Sequence, residues 1–264
     1  MGDDATTKET LTLVKSTLIA LLTLTAPMAL AAPALAQDAP AATAPAAAAP
    51  AAAPGAATPM TPEQIAAFNK AVTDFTAGQT AQQSGDNAGA SAKYDAALPA
   101  IRTAVQSDPA KIDNVNFLAN ALYANAAAYG AQGQMDKVIV LYGEALPHWR
   151  KIMEAKPTDM ASRNILAGIL IQMGNQKLGA QDKAGSAPLY TEALALARKS
   201  VAEKGTDPIN RNILLSALIG ASQSSGDAAL QAEAVNMSKT ILADGSVDAS
   251  NKPAAQALTG AKAG

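Results

Sequence analysis

Hydrophobic residues recur along this chain at a helical spacing. Two mostly hydrophobic stripes cover positions 94, 97, 98, 101 and 105, and positions 117, 118, 121, 122 and 125. The i, i+1, i+4, i+5, i+8 spacing of the second stripe is typical of one face of an amphipathic α-helix. Polar, Gly-containing segments separate successive stripes and begin at residues 84, 130, 178 and 224. The pattern therefore predicts pairs of helices joined by short turns.

The helical pattern repeats at an interval of 48 residues. The letters RNIL begin at Arg163 and again at Arg211, and 211 − 163 = 48. Other aligned sets are Asn116, Asn164 and Asn212; Leu118, Leu166 and Leu214; Tyr94, Tyr142 and Tyr190; and Ala97, Ala145 and Ala193. A period of this length indicates stacked structural units. We therefore expect an all-α fold, an α-solenoid of about four stacked helix-turn-helix hairpins.

The N-terminal region has the layout of a secretory signal peptide. Residues 15–37 contain a basic residue, then an apolar run, then the letters ALA at 34–36 before Gln37. The apolar run is shorter than the roughly 20 residues that a bilayer requires, and it contains Pro27 and Pro33. The acidic leader before it predicts a true start near Val14. We predict a signal peptide over residues 1–36, a periplasmic or secreted bacterial protein, and no membrane anchor after cleavage.

Three further segments follow the signal peptide. Residues 37–60 are rich in Ala and Pro, which indicates a disordered linker because repeated prolines cannot hold a helix. The repeat domain is predicted over residues 61–245, with Thr61 as the first helix cap and Pro62 in the first turn. Residues 246–264 are predicted to form an Ala-rich C-terminal tail.

The composition excludes several kinds of chemistry. The chain contains no cysteine and one histidine, so disulfides, thiolate metal sites and conventional transition-metal sites are excluded. A formal net charge of −2 gives no broad attraction to nucleic acid or anionic lipid. We expect no catalysis, no cofactor and no metal. The alternative is an enzyme or small-ligand binder with a pocket near Tyr142, His148 and Trp149.

Several positions match a known repeat pattern, which places Gly at the turn and Ala, an aromatic residue and Ala in the second helix. The matching residues are Gly78, Gly85, Ala90, Tyr94 and Ala97, then Tyr129, Gly133, Tyr142 and Ala145, then Gly174, Tyr190 and Ala193. In these residues the chain resembles the tetratricopeptide repeats. Its period of 48 residues departs from the family's period of about 34, which implies longer helices and leaves the superhelix curvature open.

The resemblance implies a binding surface. In tetratricopeptide-like stacks the first helices line the concave face, and Asn side chains there hold a peptide backbone through paired donor and acceptor groups. The residues implied here are Asn116, Asn120, Tyr123, Arg163, Asn164, Ile171, Arg211, Asn212 and Ile219. Arg163 and Arg211 are candidates for meeting an acidic partner, because a cation at a helix start is unfavourable for the helix dipole.

These observations predict an exported protein-interaction scaffold that binds a partner peptide or helix along the concave face. Two other interpretations stay open at this point. The same residues could pack between hairpins, with Asn serving the first turn of each inner helix. The domain could also be a self-associating structural module.

Overall fold

The structure, a computed structural model, describes residues 57–260. Within this range the chain is helical, without a β-strand. The helices are α1 Pro62–Gln83, α2 Asn87–Ser107, α3 Ile112–Ala131, α4 Met135–Ala155, α5 Met160–Gly179, α6 Lys183–Glu203, α7 Pro208–Ser225, α8 Ala228–Ala243 and α9 Lys252–Thr259. The all-α prediction is confirmed for this part of the chain. The predicted signal peptide, and the predicted linker as far as residue 56, lie outside the described residues.

The described residues belong to two compact units, 57–132 and 133–260. In the first unit α1 packs on α2, and α2 packs on α3. In the second unit each helix from α4 to α9 packs on the next, and α5 also packs on α7. Within each unit, neighbouring helices therefore pack consecutively, as the periodic pattern predicts.

Polar side chains fix where most of the helices begin. At six helix starts, a side-chain oxygen of the capping residue accepts a hydrogen bond from a backbone N–H of the first turn, which otherwise lacks a partner. The capping residues are Thr61, Asp86, Asp159, Asp182, Asp207 and Asp227. The preceding turns of α2, α4 and α8 contain Gly85, Gly133 and Gly226, each with a positive φ. The turn before α6 has no such glycine, and Gln181 adopts φ 64° there instead.

Tyrosines of the second helices pack against glycines of the first helices. The Tyr94 ring lies against Gly78, where a Cβ would come within 2.6 Å of the ring. Tyr190 is fully buried and lies against both Gly174 of α5 and Gly220 of α7. Its hydroxyl donates a hydrogen bond to Asn175 Oδ1 at 2.6 Å. Two Tyr and Gly pairs of the predicted pattern, Tyr94 with Gly78 and Tyr190 with Gly174, are thus close contacts between helices.

The two units have different cores. In the unit of residues 57–132, Phe117 makes edge-on ring contacts with Phe68 and Phe75 at centroid distances of 5.8 and 5.1 Å. In the unit of residues 133–260 the buried residues of α5 and α7 are mainly aliphatic, including Ile169, Leu170, Leu215 and Leu218.

Candidate binding surface

The arginines of the two RNIL motifs meet carboxylates of their own hairpins. Arg163 is fully buried, and its Nη1 lies 2.9 Å from Glu203 Oε2, while Nη2 donates to the Pro157 carbonyl at 3.1 Å. Arg211 is half-buried, and its Nη1 lies 2.7 Å from Asp244 Oδ2. Glu203 is the last residue of α6 and Asp244 directly follows α8, so each carboxylate lies at the C-terminal end of the helix that pairs with the arginine's helix. The acidic partner predicted for these arginines is therefore available inside the chain.

Both carboxyl groups have lowered pKa values. Arg163, whose Nη1 lies 2.9 Å from the carboxylate, holds the pKa of Glu203 below its usual value. The pKa of Asp244 is lowered to about 2 by the neighbouring Ser246 hydroxyl, by Arg211 and by the Ser246 backbone N–H, which donates to Oδ1 at 3.0 Å. Both carboxylates are therefore ionised at neutral pH.

Asn164 links three helices through its side-chain amide. Its Nδ2 donates to Asn210 Oδ1 at 2.7 Å, and its Oδ1 accepts from the Ser200 hydroxyl at 2.8 Å. Asn210 is fully buried and donates onward to the carbonyls of Ser200 and Lys204 at 3.1 and 3.2 Å. The Asn164 amide of α5 is thus satisfied by side chains of α6 and α7.

Asn212, which is equivalent to Asn164 in the next repeat, holds a stretch of backbone instead. Its Nδ2 donates to the Ser246 carbonyl at 2.7 Å and to the Pro208 carbonyl at 2.8 Å. Its Oδ1 accepts from the Asp248 backbone N–H at 2.9 Å. One side-chain amide therefore pairs with a carbonyl and with an N–H two residues further along the same segment.

A second asparagine in that segment returns the contact. Asn251 is only 3% exposed; its Nδ2 donates to the Asn212 carbonyl at 3.2 Å, and its Oδ1 accepts from the Ser216 hydroxyl at 2.8 Å. Four residues later, Ala255 of α9 is fully buried. We call residues 244–260 the C-terminal segment, and Asn212 with Ser216 of α7 the Asn212 site.

The remaining predicted residues are distributed between the two units. In α3, Asn120 is 5% exposed and donates to the Asn116 carbonyl at 2.8 Å, while Asn116 itself is half-buried. Tyr123 is half-buried, and burial raises the pKa of its hydroxyl. In the other unit Ile171 is 2% exposed and Ile219 is half-buried.

Within the unit of residues 133–260, these contacts favour the packing interpretation for several of the nine residues. Arg163, Asn164, Arg211 and Asn212 all have partners in their own unit, and Ile171 belongs to the core. Their assignment to a partner-binding surface stays a prediction. A partner that used them would have to replace contacts that the chain already makes.

Sequence reasoning missed the partners of Asn212. Ser246, Asp248 and Asn251 fall in the range predicted to be an Ala-rich tail, whereas the structure packs that range against α7 and α8. The packed unit thus continues beyond the predicted boundary at residue 245. The available signal was the polar sequence SVDASN at 246–251, followed by Pro253 in the first turn of α9.

The residues of the alternative pocket lie on α4. Tyr142 and Trp149 are 6% and 1% exposed. His148 is half-buried, and burial lowers its pKa. Between residues 57 and 260, no group of three or more His, Cys, Asp or Glu side chains could hold a metal ion. None of the helices in that same range is long and apolar enough to cross a bilayer.

The chain matches no known family model and no curated protein. Its function is therefore inferred from its own contacts.

Proposed function

We propose that this chain is a non-enzymatic, tetratricopeptide-like scaffold, exported by a bacterium, that binds an extended peptide or a helix of a partner protein. The observation that supports the proposal is the Asn212 amide, which pairs one donor and one acceptor with the backbone of residues 246–248. This is the contact that the tetratricopeptide resemblance implies for a bound peptide. Here it is made with the chain's own residues.

The chemistry of this contact suits an interaction protein. A side-chain amide offers both a donor and an acceptor, so it can satisfy the N–H and C=O groups of an extended peptide without reading its side chains. Asn164 in the preceding repeat keeps the same two groups at the equivalent position. A repeated amide of this kind gives a scaffold that recognises backbone first and side chains second.

Accessible positions lie beside these asparagines on the first helices. Ile209, in the first turn of α7, is 49% exposed, and Ala161 occupies the equivalent exposed position of α5. Gly168 and Ser216 lie two turns further along the same faces and are half-buried. We propose that the partner contacts this first-helix face, with Ile209 as an apolar contact.

Two ion pairs support the proposed stacking of hairpins. Arg150 of α4 pairs with Glu192 of α6 at 2.6 Å, and Arg198 of α6 pairs with Glu233 of α8 at 2.5 Å. Arg150 and Arg198 are 198 − 150 = 48 residues apart, so the same position connects successive second helices. Each exposed pair contributes little to stability, on the order of 0–1 kcal/mol. The pairs join α4 to α6 and α6 to α8.

Site-specific photo-crosslinking in living cells tests the proposal. A photoreactive residue replaces Ala161 or Ile209 on the first-helix face, and Ala195, which is exposed on α6, serves as the control. We expect a discrete partner protein crosslinked from positions 161 and 209 but not from position 195. Capture of no protein from either first-helix position, or the same proteins from all three, would contradict the proposal.

A further inference from the structure

We propose that the Asn212 site is an exchangeable peptide-binding site, which the chain's own C-terminal segment occupies as an internal competitor. The partner that fits it is an extended peptide that supplies a carbonyl, an N–H two residues later and an Asn side chain three residues after that, followed by a short helix with a small apolar residue. This inference rests on the proposed function and specifies where the partner binds and what limits its binding.

Two asparagines at equivalent positions of the repeat have different partners. The Asn164 amide is bound by the side chains of Ser200 and Asn210, which belong to helices of the repeat. The Asn212 amide is bound by backbone groups of residues 246 and 248, which lie between α8 and α9. Any extended segment carries the same backbone groups, so these two bonds do not require this particular sequence.

The C-terminal segment requires an asparagine at position 251. Its amide donates to the Asn212 carbonyl and accepts from the Ser216 hydroxyl, and the side chain is almost completely buried. An amide carries its donor and its acceptor on separate atoms of a short side chain, so it can meet the Asn212 carbonyl and the Ser216 hydroxyl at once. A competing peptide with Ala at this position would leave both contacts unmade, so the site discriminates against it.

The C-terminal segment is held by contacts that a free peptide of the same chemistry can replace. Helix α9 has eight residues, and Ala255 is its fully buried residue. A helix of this length is not stable alone in water, so α9 depends on its docking. Segments with few buried apolar contacts open locally at less cost than the core. A peptide of the same chemistry would replace the released hydrogen bonds.

The covalent connection explains why the segment occupies the site in the structure. Residues 244–251 join α8 to α9, so the segment is always near the site at a high effective concentration. A free peptide must compete with this internal ligand. Weakening the internal ligand alone should therefore strengthen binding of the free peptide, whereas damage to the shared site weakens the internal ligand and the peptide together and should change the observed affinity little.

The test uses the full chain and a fluorescent synthetic peptide that copies residues 244–260, with binding followed by fluorescence anisotropy. The variant Asn251→Ala in the full chain weakens the internal competitor and should bind the peptide roughly tenfold tighter than the unaltered chain. The variant Asn212→Ala removes the same hydrogen bonds from the internal segment and from the free peptide, so its observed affinity should stay within about threefold of the unaltered chain. A control peptide with Asn251→Ala should bind each protein roughly tenfold more weakly than the parent peptide. Circular dichroism verifies that both variants keep their helical content.

Tighter binding by Asn251→Ala but not by Asn212→Ala supports the proposal. Tighter binding by both variants, no gain for Asn251→Ala, or no binding to any form overturns it. A dimer of the full chain that forms in place of the peptide complex would assign the site to a second copy and would also overturn it. A partner crosslinked from Ala161, which lies outside the Asn212 site, together with absent peptide binding would leave the proposed function standing. Failure of both experiments would remove both proposals.

A second measurement does not depend on either asparagine variant. Because the chain has no cysteine, a single Ala255→Cys substitution reports release of α9 by its rate of thiol labelling. The matched control is Ala217→Cys, which is equally buried in α7. We expect labelling at position 255 to be at least tenfold faster than at position 217, and to accelerate further with the synthetic peptide. Equal labelling rates would show that α9 opens only with the whole unit and would overturn the proposal.

Discussion

At the scale of single residues, the buried guanidinium group of Arg163 depends on the groups that pair with its charge. It is fully buried and bonded to the Pro157 carbonyl and the Glu203 carboxylate, which is 40% exposed. A buried cation is tolerated only when it is paired and hydrogen-bonded. Its aliphatic stem also fills space in the core. Arg163 therefore contributes both packing and charge pairing.

We expect Arg163→Ala to destabilise the unit by about 2–4 kcal/mol, because it removes a buried side chain and one of the two donors, Arg163 and Lys199, that the Pro157 carbonyl has. The equivalent substitution Arg211→Ala is the control, and it should cost less because Arg211 is 13% exposed. Urea unfolding of both variants measures the difference. Equal losses would contradict the distinction drawn between the two arginines.

Two glycines at the same residue scale should respond in opposite ways to alanine. A methyl group at Gly220 would overlap the buried Tyr190 ring, so we expect Gly220→Ala to lower the free energy of unfolding by about 1–3 kcal/mol. Gly168 has no atom within 4 Å of its Cβ position and lies inside α5. Gly168→Ala should stabilise the chain by about 0.5–1 kcal/mol, since Ala favours helix. Thermal unfolding tests the pair, and the same sign for both would contradict the Tyr190 contact.

At the scale of helices, carboxylates at the ends of elements carry the pH dependence. The pKa of Asp182 at the start of α6 is lowered by the Gly185 N–H and by Lys177. The pKa values of Glu203 and Asp244, at the ends of second helices, are also lowered. Each of these carboxyl groups has a lower pKa in the folded chain than in the unfolded chain. They therefore stabilise the fold above about pH 4 and lose that effect as the pH falls toward 2.

We predict that the melting temperature falls between pH 4 and pH 2, and that Asp244→Asn reduces this fall because the group titrates at about 2 when folded. Glu154→Gln is the control, since Glu154 is exposed on α4. Melting temperatures measured across this range compare the three proteins. If the melting temperature of Asp244→Asn fell with pH as steeply as that of the unaltered chain, this would show that the ion pair between Asp244 and Arg211 does not form in solution.

Sequence reasoning recovered the elements better than their contacts. The turn at Gly85 and the first helix start at Thr61 were visible because capping and positive φ are local properties. The partners of Asn212 were not visible, because a side-chain amide carries the same sequence signal whether it meets a peptide, a neighbouring helix or the C-terminal segment. That choice depends on which element lies beside α7, and the helical period alone does not determine it.

At the scale of the whole molecule, the interval of 48 residues separates equivalent side-chain contacts as well as equivalent residues of the sequence. In the unit of residues 133–260, α5 and α7 begin with the same Arg-Asn pair and both meet the second helix of their own hairpin. Consecutive second helices are joined by the pairs of Arg150 and Arg198. The period of 48 residues thus describes a spacing of side-chain partners, which supports the proposed stack.

Mass spectrometry of the exported protein can test the predicted cleavage of the signal peptide. If residues 1–36 are a signal peptide, the mature protein begins at Gln37, after the letters ALA. We expect the intact mass of protein from the periplasm or culture medium to match residues 37–264. Protein recovered there with residues 15–36 attached would contradict cleavage at this position.

The ion pair inside each RNIL hairpin also bears on how such a chain can change in length. Arg163 with Glu203, and Arg211 with Asp244, lie within one hairpin each, so a duplicated block of 48 residues would bring its own pair with it. The asparagine after each arginine accepts side-chain partners inside the array and backbone partners at its end. The same two letters therefore serve an interior copy and a terminal copy. A gene of this kind can gain or lose a repeat without first having to acquire a new ending.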